Sequence, residues 1–113
     1  MSYHSTMEWK WEDGCTDELV DELVKGLLEN REYNRSEGHD KFMGVYGTFS
    51  LVDQIMYNAG KLLDLFDGTL PEDSNAVIDR FSEGAPDPDT VHEILEAVVA
   101  RMRDRDEITE KTG

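Results

Sequence analysis

Cysteine occurs once in the chain, at Cys15, so an internal disulfide is excluded and a reducing compartment fits. No run of eighteen apolar residues occurs, and no membrane-spanning helix is expected. The first residues, MSYHSTMEWKWEDG, lack the basic start and apolar stretch of a secretory signal, which makes a cytoplasmic location the expectation. Bases are scarce: 11 Lys and Arg stand against 26 Asp and Glu, for a net charge of −15. Binding to bare nucleic acid or to an anionic membrane depends on Lys and Arg, so direct contact with either is not expected. An electrostatic partner should be basic.

Two further absences limit the chemistry. His4, His39, His92 and Cys15 are far apart and match no zinc spacing. Cys15 has no histidine near it in sequence to act as base, so it is expected to be structural, and no catalytic residue is assigned. Gly44 and Gly47 lie in FMGVYGTF, which fits neither phosphate-loop nor dinucleotide-loop spacing. Those eight residues are either half of a ribbon or a nucleotide-facing loop.

What the chain does have is helical periodicity and unevenly placed charge. Residues 8 to 22 hold seven acids and one lysine, and residues 62 to 100 hold ten acids and one base, Arg80. The rest of the chain balances to zero. With 113 residues, one domain is expected over 1–113, with loose tails at 1–6 and about 106–113. Thr16 is placed to cap a first helix, in which Leu19, Val20, Leu23, Val24, Leu27 and Leu28 form one stripe to about Asn30. Ser50 and Asp53 make a capping-box start for a second helix, with Leu51, Val52, Ile55, Met56, Ala59, Leu62, Leu63 and Phe66 on one face.

Thr69 and Glu72 predict a third helix that buries Ala76, Val77 and Phe81. Asp87 or Asp89 then caps a fourth, with Val91, Ile94, Leu95, Val98, Val99 and Met102 inward. His92 falls on its polar side and is expected to be a solvated surface residue. Met7, Trp9 and Trp11 alternate with charged residues at strand period, so residues 7–11 are expected to pair with residues 42–46 or with a second copy of the chain in a homo-oligomer. The fold class that follows is all-α: a small helical bundle of three to four helices, with or without a short two-stranded β-ribbon.

Two resemblances add to this reading. Tyr46, Gly47, the Ser50-Leu51-x-Asp53-Gln54-Ile55 helix start and Lys61 make residues 46–66 similar to a nucleotide-modification-associated domain family found in phage operons. That likeness covers about a fifth of the chain and implies a nucleotide-related role in a viral setting. The acids Glu18, Asp21 and Glu22 resemble the first-helix motif of MazG-type all-α nucleoside triphosphate pyrophosphohydrolases. That family carries a second carboxylate pair on another helix. Here Asp53 is followed by Tyr57 and Asn58, so the second pair departs from the pattern. The resemblance implies Mg²⁺ held by Glu18, Asp21, Glu22 and Asp53, and no metal or cofactor is expected without it.

The leading expectation is a small acidic, phage-like interaction protein. It would dock a basic surface of a partner protein, such as a nucleic-acid-binding enzyme, and inhibit or regulate it, with nucleic-acid mimicry as one route. Glu18, Asp21, Glu22, Asp64, Asp67, Glu93 and Glu96 would supply the charge. Trp9, Trp11, Tyr46 and Phe49 would supply aromatic anchors, since hot spots favour Trp and Tyr. Core packing is the equal alternative for both tryptophans. Solubility and halophilic adaptation also account for high charge, and the uneven placement is what favours a face.

Overall fold

The structure is a computed structural model and describes residues 5–36, 50–65, 69–70, 74–105 and 109–110. Among the described residues, four helices form an all-α bundle: α1 (Asp17–Ser36), α2 (Leu51–Leu65), α3 (Ser74–Ser82) and α4 (Pro88–Asp104). Helix α1 packs on both α2 and α4, and α3 lies against α4. Two short strands, β1 (Thr69–Leu70) and β2 (Thr109–Glu110), pair in parallel, with Thr69 opposite Thr109 and Leu70 opposite Glu110.

Each long helix starts where a side chain satisfies its first N–H groups. Thr16 Oγ1 accepts from the Leu19 N–H at 3.1 Å and opens α1. Ser50 and Asp53 close a reciprocal box on α2: the Asp53 N–H donates to Ser50 Oγ at 3.1 Å, and the Ser50 N–H to Asp53 Oδ2 at 3.3 Å. Asp87 opens α4 by accepting from the Thr90 hydroxyl at 2.7 Å and the Thr90 N–H at 3.2 Å. Those two hydrogen bonds, the hydroxyl's first, hold the Asp87 carboxyl below the usual aspartate range.

The predicted stripes meet in one core. Leu19, Val20, Leu23, Val24 and Leu27 of α1 and Val52, Ile55, Met56, Ala59 and Leu62 of α2 are buried. All six inward positions predicted for α4 are buried as well. Burial of such side chains contributes roughly 1.5–3 kcal/mol each, which is what makes short helices stable together.

Helix α1 runs one and a half turns past the predicted end. Asn30 is buried there, and its side-chain amide donates to the Gly26 carbonyl at 3.0 Å and approaches Met56 Sδ at 3.9 Å. An anchored helix extends easily into a polar stretch, because propagation is far less costly than nucleation.

Three expectations are corrected. Residues 5–10 form no strand, and Trp11–Asp13 make one 3-10 turn. Lys10 is extended at φ −125°, ψ 157°, so the alternation at residues 7–11 reflects local geometry without a ladder among the described residues. Its proposed partner, residues 42–46, lies outside the described residues, as does the rest of FMGVYGTF. Thr69 pairs in β1 instead of capping α3, which begins at Ser74. Within α3 the buried apolar residue is Ile78, at 1 % exposure, while Val77 and Phe81 are half-buried and Ala76 is exposed. Both expected tails also make contacts: Thr109–Glu110 form β2, and Ser5 is buried.

Candidate site: an acidic edge between the first and fourth helices

Helix α1 presents Asp17, Glu18 and Asp21 on its outer side, and α4 presents Glu93 and Glu96. The two sets come from different acidic blocks, and one member of each, Asp17 and Glu93, acts on Cys15. This half-buried thiol is pushed above the usual cysteine range, first by burial, then by the nearby charges of Glu93 and Asp17. One turn along α1, Asp21 forms an ion pair with Arg101 of α4. The acids therefore flank a helix seam that the Asp21–Arg101 ion pair bridges.

Cys15 reports on this arrangement. Only the thiolate reacts with an alkylating agent, so a raised pKa slows the reaction at neutral pH. Glu93→Gln is expected to speed alkylation of Cys15 by iodoacetamide at neutral pH, because it removes the charge that acts more strongly on the thiol. An unchanged rate would show that Glu93 does not stand beside the thiol.

The other predicted site residues distribute unevenly. Glu22 is half-buried and turns toward the N-terminal segment, where Ser5 Oγ donates to its Oε1 at 3.1 Å. Trp11 is half-buried against the core. Trp9 takes the core alternative: it is 5 % exposed, and its indole N–H donates to the Gly14 carbonyl at 2.8 Å. Gly14 makes that reversal possible, since its φ of +70° with ψ of −163° is a conformation reserved for glycine. Asp67, Tyr46 and Phe49 lie outside the described residues, as does the side chain of Asp64.

The four acids of the Mg²⁺ reading do not gather at one point. Glu22 and Asp53 both bind Ser5, through its hydroxyl and its backbone N–H, at 3.1 and 2.9 Å. Asp21 turns instead to Arg101 on α4. Asp53 is 2 % exposed, and its oxygens accept from the Ser5 N–H and from the Ser50 N–H and hydroxyl. Among the described residues, no group of three or more His, Cys, Asp or Glu side chains could hold a metal ion.

Sequence reasoning missed three contacts here. Arg101 suits the helix dipole, but its partner Asp21 is 80 residues away. Ser5 reaches Asp53 across 48 residues, and nothing local marks it. His92 is half-buried rather than solvated, between Asp79 of α3 and Glu96 of α4. Compared with protein-family models, with curated proteins and with solved structures, the chain matches none. No helix among the described residues is long and apolar enough to cross a membrane.

Proposed function

We propose that the protein is a small acidic interaction module whose α1–α4 edge docks on a basic surface of another protein and inhibits or regulates it. The observation that supports this reading is the packing of α1 on α4, which sets exposed acids of two blocks far apart in sequence on neighbouring helices. Like charges brought together repel, which is unfavourable in the free protein and is relieved when a basic partner covers them. Exposed Glu18 and Glu96 extend the same charge along each helix. A nucleic-acid-binding protein is the partner class of choice, because its cleft is built to receive closely spaced negative charge.

The test places charge reversal at two positions of equal net effect. Protein carrying Asp17→Lys with Glu93→Lys is compared with protein carrying Glu29→Lys with Glu32→Lys, on the far half of α1. Each is used to capture proteins from the heparin-binding fraction of a bacterial lysate at low and raised salt. Wild type and the Glu29/Glu32 variant are expected to retain a protein that raised salt releases, and the Asp17/Glu93 variant to lose it. Equal loss in both variants would mean attraction to net charge alone, and the docking face would be rejected. A thermal shift with nucleoside triphosphates that requires Mg²⁺ and disappears in Glu22→Gln would favour the pyrophosphohydrolase reading instead.

A further inference from the structure

Helix α2 leaves one narrow stripe on the surface. Gln54, Tyr57, Asn58 and Lys61 are exposed, at the spacing of a single helix face, while Ile55, Met56, Ala59 and Gly60 between them are buried. Among the described exposed residues of the four helices, α2 alone contributes no acid. Helix α1 exposes acids from Asp17 to Glu32, α3 exposes Asp79, and α4 exposes them from Asp89 to Asp104. The acid that α2 holds near its start, Asp53, is buried against Ser5 and Ser50. Tyr57, at 39 %, is one of two exposed large hydrophobic residues among those described; the other, Tyr33, belongs to α1, which packs on α2. Lys61 Nζ lies 5.3 Å from the centre of the Tyr57 ring, so the base of the stripe is drawn over its own aromatic neighbour.

Charge decides what can cover such a face. Two copies that each carry −15 repel, most strongly where a helix of one sets its acids against the same acids of the other. The α2 stripe offers a self-contact without that opposition. Its spacing is also symmetric about the midpoint of positions 57 and 58. An antiparallel two-fold there sets Gln54 opposite the partner's Lys61 and Tyr57 opposite the partner's Asn58. A glutamine carbonyl accepts from an ammonium, and an amide is a polar neighbour for a phenol. The two lysines stand seven positions apart along the axis, about 10 Å, which is close to the screening length of physiological salt. Asp64 follows Lys61 by three positions, and in that register the backbone sets it opposite position 51, at the positive end of the partner's helix.

We propose that the exposed stripe of α2 is a self-association face, through which two copies pair about a two-fold axis by Gln54, Tyr57, Asn58 and Lys61. None of the acids of the α1–α4 edge enters the contact. Helix α2 has 15 residues and is about 22 Å long. One helix pair of that length falls below the roughly 1,200 Å² of lasting complexes, so the pairing is reversible and belongs to concentrated protein.

Sedimentation equilibrium from micromolar to millimolar protein, at low and raised salt, tests this. Wild type, 12.9 kDa as a monomer, is expected to move toward twice that mass as concentration rises. Raised salt should strengthen the pairing by screening the repulsion of the two net charges. Attachment of an acidic edge to a basic patch on another copy would weaken instead. Asn58→Glu places two like charges beside the axis and is expected to keep the protein monomeric throughout. Asn75→Glu adds the same charge at an exposed position of α3 and is expected to pair as wild type does. Tyr57→Ala, which adds no charge, should lower the association constant about fivefold or more, as for an anchoring aromatic residue. A monomer at every concentration, pairing that weakens with salt, equal behaviour of the two glutamate variants, or unchanged pairing in Tyr57→Ala would overturn the proposal.

Discussion

Trp9→Ala is expected to lower folding stability by about 3–5 kcal/mol, the range for truncating a buried large aromatic side chain. Trp9 belongs to the same buried cluster as Leu19, Leu23 and Leu95. It also stacks edge-on to Trp11, with ring centroids 5.1 Å apart and planes at 71°, an arrangement that contributes roughly 0.5–1.5 kcal/mol beyond area burial. Against a total stability of about 5–15 kcal/mol for a domain, the loss is a large fraction. Trp9→Phe keeps an aromatic ring and removes the donor to the Gly14 carbonyl, so a smaller loss of about 1–2 kcal/mol is expected. Urea unfolding followed by far-ultraviolet circular dichroism measures both, without relying on tryptophan emission. A loss below about 0.5 kcal/mol for Trp9→Ala, the level of ordinary surface substitutions, would return Trp9 to the surface as a candidate anchor.

Asp53→Ala is expected to cost about 2–4 kcal/mol. Two effects add. The capping box of α2 is broken, which costs roughly 0.5–2 kcal/mol. The buried Ser5 N–H loses its acceptor, and an orphaned buried donor costs roughly 1–3 kcal/mol. Removal of residues 1–6 should destabilise the fold in the same direction, since Ser5 joins α2 to Glu22 of α1 through Asp53. The stability loss in Asp53→Ala should be the same in Mg²⁺ and in EDTA. A loss that appears only in Mg²⁺ would make Asp53 a metal ligand and support the pyrophosphohydrolase reading.

The same residue shows how far sequence reaches. Ser50 and Asp53 are three positions apart, and their reciprocal hydrogen bonds follow from that spacing alone. Whether Asp53 also holds the N-terminal segment, or stands free to bind a cation, depends on a residue 48 positions earlier. The inward face of helix α4 was legible because each of its six residues lies within four positions of the next, and of the two caps the sequence offered, Asp87 and Asp89, the structure uses Asp87. Helix α3 was not. Its run of Ala76, Val77 and Ile78 leaves the buried face ambiguous, and the bundle chose Ile78. Thr69 satisfied a capping pattern, yet β2 offered it backbone partners from 40 residues away.

Charge divides along the same line. The sequence by itself determined the two acidic blocks, the helical stripes and the all-α class, because composition, periodicity and capping are local properties. Only the tertiary structure decided what each acid faces: Asp21 an arginine, Glu22 a serine, and Glu93 a thiol shared with Asp17. It also decided that one of two alternating tryptophans enters the core. The physical reason is that hydrogen bonding and helix propagation act over a few residues, whereas the neighbours that pair, bury or crowd a side chain are brought in by packing from any distance along the chain.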